Sequence, residues 1–130
     1  MVNLLIVSHS LQLAAGVKEF ADQVAGERIK IAAAGGAADG SLGTSVERIL
    51  AGLREIASPD GVLVLVDIGS AVLSVEIAIE DLGMTGVQIS DAPLVEGAYL
   101  AAIEATAEDA TLEQVAQAAL QARELIKVQP

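Results

Sequence analysis

The chain contains no cysteine and no tryptophan, a single histidine, one phenylalanine and one tyrosine. Without cysteine there can be no disulfide, no thiolate nucleophile and no thiolate metal site. With one histidine, a zinc site would need mostly carboxylates, and with Phe20 and Tyr99 as the whole aromatic complement there is no stacking platform for bases. Positive charge is scarce as well: 7 Lys and Arg stand against 18 Asp and Glu, a formal charge of −11 over 130 residues. Between Arg54 and Arg123 there is no Lys or Arg at all. Such a surface excludes nucleic acid as a natural partner, since neutralising phosphates takes clustered cations, and it suits either simple solvation or a basic protein partner. Apolar runs are far too short to span a bilayer, and Met1-Val2-Asn3-Leu4 lacks the basic start of a secretion signal, so a soluble cytoplasmic protein without membrane association is expected.

What the chain has in quantity is aliphatic residues, 53% hydrophobic overall, arranged in alternating short runs and helical patterns. Val2–Val7 reads as a strand buried on both faces. Leu13, Val17, Phe20 and Val24 recur at helical spacing and predict the inward face of a first helix, closed by Gly26. Arg28–Ala34 reads as a second strand near an edge, because Ile29 and Ile31 alternate with basic residues. A glycine-rich loop, Gly35 to Gly43, follows. Thr44 with Glu47 three residues on predicts a capping box, and Val46, Ile49, Leu53 and Ile56 the inner face of the next helix. Val62–Val66 is the most apolar strand and is expected at the centre. A third helix is expected after Asp67-Ile68-Gly69-Ser70, with Val72, Val75, Ile79 and Leu82 inward, Glu76 and Glu80 outward, and Gly83 at its end. A fourth strand at Val87–Ser90, a small-residue helix opened by Pro93 at its first position and running to about Ala105, and a last helix capped by Thr111 and Gln114 and running to about Lys127 complete the pattern. The alternation predicts a single α/β domain over residues 1–130: an open, mainly parallel sheet of about four strands, order beginning 2-1-3, with helices on both faces.

Ligands of such sheets sit beyond the carboxyl ends of the strands, near the point where strand order reverses. His9 follows the first strand, the glycine loop the second and Asp67 to Ser70 the third, so the expected order brings all three to one rim. A neutral imidazole there can attack through one nitrogen while the other is held by a hydrogen bond. Asp67 is the candidate holder, with capping of the helix behind it as its plain structural alternative. Glycine backbone N–H groups and helix starts can receive an anion. The candidates to stabilise a phosphoryl group are therefore Gly36, Asp39, Gly40, Thr44, Ser10 and Ser70. The loop is not a nucleotide P-loop, because Ser41 stands where that motif needs Lys, and no dinucleotide fingerprint opens the first helix. A hydrolase built on Ser8, Ser10 or Ser70 lacks the nucleophile-elbow motif.

Four segments carry a resemblance: Val7-Ser8-His9-Ser10, the loop from Gly35-Gly36 through Asp39-Gly40 to Gly43-Thr44-Ser45, Val66 through Ala71, and Ala92-Pro93-Leu94-Val95-Glu96-Gly97-Ala98. In order and at these spacings the chain resembles the phosphotransferase subunit of PEP-dependent dihydroxyacetone kinase, related to the mannose-type IIA domains of the sugar phosphotransferase system. The resemblance implies that His9 is phosphorylated, through Nε2, and that Asp67 contacts it. It implies HPr as donor, ADP on a nucleotide-binding kinase subunit as acceptor, no cofactor on this chain, and a homodimer. Some members carry fused HPr-like and enzyme I-like domains; with one domain read here, those partners are expected on separate chains. Two other readings remain beside it: a IIA domain of a mannose-family sugar transporter, and a non-catalytic regulatory module using the same rim.

Overall fold

The computed structural model describes residues 1–129. Four strands alternate with helices: β1 (Asn3–Ser8), α1 (Leu11–Ala25), β2 (Ile31–Gly35), α2 (Val46–Ile56), β3 (Val62–Val66), α3 (Ser70–Leu82), β4 (Val87–Ile89), α4 (Leu94–Ala105) and α5 (Leu112–Leu120), the last followed by a 3-10 turn at Gln121–Glu124. The strands form one sheet in the order β2-β1-β3-β4, and every pairing is parallel. The expected order, beginning 2-1-3, is therefore the one found, with β1 and β3 side by side in the middle.

Alternation along β1 divides the core in two. Leu4 and Ile6 face α1, α4 and α5, together with Leu63 and Leu65 of β3. Leu5 and Val7 face α2 and α3, together with Val62, Val64 and Val66. Both central strands are buried throughout, which is why they read as unbroken apolar runs.

The inward face of α1 differs from the one predicted. Ala14, Val17, Ala21 and Ala25 are buried, while Leu13 and Phe20 stand outside, Phe20 46% exposed. Small residues win that face because α1 lies close on the sheet: a Cβ on Gly35 would sit 2.5 Å from the Ser10 carbonyl and 2.7 Å from Ala14 Cβ. Phe20 instead stacks on Tyr99 of α4, with ring centroids 5.2 Å apart.

Several boundaries also move. β2 begins at Ile31 rather than Arg28. Pro93 is the N-cap of α4, one position before the helix. The Thr111–Gln114 capping box forms, but α5 ends at Leu120 and passes into the 3-10 turn well before Lys127. The cap of α2 is Ser45, whose hydroxyl accepts from Arg48 N–H at 3.2 Å, so the predicted Thr44–Glu47 box is replaced by its neighbour. Thr44 turns its own hydroxyl across to Ser74 of α3, at 2.8 Å.

The tight approach at Gly35 is testable. Gly35→Ala forces α1 and the end of β2 apart and is expected to cost about 1–3 kcal/mol in urea denaturation. An exposed control, Gly16→Ala, meets no atom within 4 Å and should be neutral or stabilising.

Candidate functional site

The β1–β3 ladder builds the site. Val7 pairs with Val66, so the residues just beyond them, Ser8-His9 and Asp67, emerge together at the carboxyl rim. Asp67 N–H donates to the Val7 carbonyl at 3.2 Å, continuing the ladder one step past the strands.

The Asp67 carboxylate then collects donors. Its Oδ2 accepts from the His9 backbone N–H at 2.8 Å and the Ser8 hydroxyl at 3.0 Å. Its Oδ1 accepts from Ile68 N–H at 2.8 Å. The His9 ring presents Nδ1 to both oxygens, at 3.0 and 3.2 Å. A carboxylate can only accept, so the ring carries its proton on Nδ1 and leaves the Nε2 lone pair free for chemistry. Nε2 looks the other way, 2.9 Å from the Ser70 hydroxyl at the start of α3. The His9 side chain is 27% exposed and that of Asp67 only 14%, so the ring is open to solvent while the carboxylate behind it is shielded. Burial pushes the Asp67 carboxyl up. The hydrogen bonds from His9, Ile68 and Ser8 outweigh it and hold the group below the ordinary 3.8.

Asp67 does not cap α3. The N-cap there is Gly69, without a side-chain bond, which leaves the carboxylate committed to His9.

The remaining predicted residues divide. Ser70 is at the ring. Ser10 is close in sequence, but its hydroxyl caps α1 by accepting from Leu13 N–H at 3.1 Å, and its N–H donates to Ser8 Oγ. Thr44 is engaged with Ser74, as above. Several N–H groups of the loop are already engaged within the protein. Gly36 N–H donates to the Ser8 carbonyl, Ala37 N–H to the Ser41 carbonyl, and Gly40 N–H to the Ala37 carbonyl. Asp39 closes the same turn by accepting from the Ser41 hydroxyl and N–H, which lowers its pKa, and it is exposed to solvent. Gly36 and Gly40 serve the turn through positive φ, at 76° and 87°.

Two supports escaped the sequence reading. Ser8 is fully buried and braces both Asp67 and Ser10 N–H. A buried hydroxyl at a strand end must find a partner, and that was the available signal. Gly43 N–H donates to the His9 carbonyl at 2.9 Å and ties the loop to the site; its place in the Gly43-Thr44-Ser45 segment of the resemblance was the available signal.

The family model described as PTS system fructose IIA component, EIIA-man, matches residues 3–116. Phosphoryl donor subunits DhaM of PEP-dependent dihydroxyacetone kinases are similar to the chain. The Listeria innocua kinase 2 subunit is 36% identical over 80% of this chain and 86% of its own length. The subunits of Klebsiella michiganensis and Escherichia coli are 39% and 41% identical over 99% and 95% of this chain. The chain spans only 28% and 27% of those two proteins. Among solved structures, the unknown-function protein EF1359 is 38% identical, with TM-score 0.79 over 92% of this chain and 93% of that one. The EIIA component of Streptococcus agalactiae shares the fold at TM-score 0.70 and 15% identity, over 97% and 96%. An α/β domain of the mannose-type IIA class is thus defined by both its sheet and its sequence. The chain belongs to the EIIA-man family, and within it is a DhaM-like member.

A depressed folded pKa means that ionised Asp67 stabilises the fold, fully so above 3.8, and that this is lost as pH falls through the lower folded value. Asp67→Asn should cost about 1–3 kcal/mol at pH 7. In chemical denaturation the gap from wild type should narrow steadily in acid; a gap constant from neutrality to pH 3 would contradict the clamp.

Proposed function

We propose that this chain is the phosphohistidine carrier of a PEP-dependent dihydroxyacetone kinase. His9 takes a phosphoryl group from HPr and passes it to ADP held on the nucleotide-binding kinase subunit. The observation that carries this reading is the orientation of one ring: Nδ1 in the grip of Asp67, Nε2 presented at the rim beside Ser70.

In the first step the Nε2 lone pair attacks phosphorus in line, the donor's N–P bond breaks and the donor imidazole leaves neutral. His9 keeps its Nδ1 proton throughout. The ring is cationic while phosphorylated, and the adjoining Asp67 charge compensates it. The Ser70 hydroxyl gives up Nε2 as phosphorus arrives and donates to a phosphoryl oxygen instead. In the second step a β-phosphate oxygen of ADP attacks, the Nε2–P bond breaks, ATP forms on the partner and the neutral Nδ1–H ring returns. Gly36, Gly40 and Asp39 shape the loop that Gly43 fastens to His9, a supporting part rather than direct contact with phosphorus.

The dihydroxyacetone pathway is favoured over sugar transport because the relatives at 36–41% identity are phosphoryl donor subunits of dihydroxyacetone kinases, one of them matched over 86% of its length. The same reading makes the protein a cytoplasmic homodimer. Among the described residues, no helix is long and apolar enough to cross a membrane.

Incubation with PEP, enzyme I and HPr should add one acid-labile phosphoryl group, seen by mass spectrometry, and His9→Ala should abolish it. Adding the ADP-loaded kinase subunit should discharge the label, whereas a IIB sugar-transport protein should not; the reverse selectivity would assign the chain to sugar transport. Asp67→Asn should slow labelling by about 100-fold or more through loss of the reactive tautomer, and Ser70→Ala by about tenfold. Normal labelling of His9→Ala would sink the proposal.

A further inference from the structure

The chain keeps both of its aromatic side chains out of the core. Phe20 of α1 and Tyr99 of α4 stack on each other at the surface, and apolar neighbours gather around them. Leu13, Phe20, Val95 and Leu125 are each between 42% and 49% exposed. Leu13, Gly16 and Phe20 follow one another on α1 at spacings of three and four, so they share a flank from which Lys18 and Asp22 are turned away. Two shallow clefts of about 320 and 350 Å³ open on this flank. Leu13 and Gly16 wall the first, Tyr99 and Leu125 the second, and Phe20 and Val95 form the ridge between them. The only charged residues in either lining are Glu96 and Lys127, and they neutralise each other at 2.6 Å. On a chain of net charge −11 this is ground without excess charge. A helix flank turned to water is expected to be polar, and a continuous apolar one marks a contact surface.

We propose that this flank of α1 and α4 is the contact surface between two copies of the chain, related by a two-fold axis. The inference gives a surface to the homodimer of the carrier reading above and rests on that reading for the copy number alone. Charge chooses the occupant. Two molecules each carrying −11 repel wherever acidic surface meets acidic surface, and on this flank they meet without that repulsion. A basic partner, by contrast, gains no attraction from clefts whose single carboxylate is already paired. Shape supports the same occupant. A ridge with a cleft on either side is its own complement, since a two-fold rotation lets the Phe20–Val95 ridge of each copy enter a cleft of the other. Aromatic anchors at the centre and an ion pair at the edge are the composition of a specific interface. The flank belongs to the layer of α1 and α4, whereas the His9 ring leans on Ser70 at the start of α3, in the other layer, so pairing leaves both rings open.

Sedimentation velocity over a range of concentrations, with labelling by PEP, enzyme I and HPr run alongside, tests this. Wild type should sediment as a dimer and, because screening relieves the mutual repulsion, should dimerise more tightly as salt is raised. Leu13→Glu and Val95→Glu each set a like charge on the flank and should weaken the dimer by about 100-fold or more. Both keep the monomer intact. Position 13 lies three residues past the cap Ser10, where Glu completes a capping box, and position 95 lies in the first turn of α4, where an acid favours the helix. Their far-UV circular dichroism should therefore match wild type. Leu73→Glu, exposed on α3 in the other layer, should dimerise like wild type. A wild type that is monomeric at every concentration, a dimer that loosens with salt, one that withstands both flank variants, or one that Leu73→Glu disrupts to the same degree overturns the flank, and the relay stands if His9 is labelled. A dimer that the flank variants break but whose His9 is never labelled overturns the relay and keeps the flank.

Discussion

The Asp67 carboxylate is where backbone and chemistry meet. It takes the backbone N–H groups of His9 and Ile68, the Ser8 hydroxyl and the His9 ring on two oxygens. Each bond favours the ionised form, and together they overcome its partial burial. That one group fixes which imidazole nitrogen carries hydrogen, how the ring is rotated, and how the chain leaves β1. A neutral side chain of the same shape would accept fewer of these bonds and would not oppose the positive charge that the proposed phosphorylation puts on the ring. The rest of the fold can be seen as the means of bringing residue 67 to residue 9.

Phosphoryl chemistry usually draws on cations; near this rim Arg123 lines the pocket beside Asp67 and Gly69 but is paired with Asp91, and no cation bonds the His9 ring. In the proposed relay stabilisation falls instead on a hydroxyl at a helix start and on the anion behind the ring. This division suits a carrier: a site that bound phosphate tightly through Arg or Lys would resist giving it up. Transfer between near-equals is better served by a nitrogen that is held in orientation than by a deep electrostatic well.

The sheet was legible because its two central strands are unbroken Val, Leu and Ile, and because each helix is bounded by a residue with a distinct role, such as Gly83 or the Thr111–Gln114 pair. The convergence of His9 with Asp67 followed from strand order alone. Side-chain assignments failed where local competition decided. Thr44 and Ser45 are adjacent hydroxyls, and only one can cap α2. On α1 the large residues Leu13 and Phe20 drew the predicted face outward, while contact with Gly35 demanded alanines beneath. In the glycine loop the N–H groups of Gly36, Ala37 and Gly40 are taken up by Ser8, Ser41 and Ala37 carbonyls. Glycine content signals unusual backbone angles; it does not say where the amides point.

The pairing of Val7 with Val66 has a consequence for how activity arises. The nucleophile and its carboxylate are separated by 58 positions yet are adjacent only in one register of parallel neighbours, and a shift by a single residue would turn every side chain of β1 to the opposite layer. The clamp is therefore acquired together with the innermost strand pairing, a non-local contact of the kind that slows folding. A partly folded molecule with its helices formed and this pairing absent lacks the His9–Asp67 clamp on which the proposed relay rests.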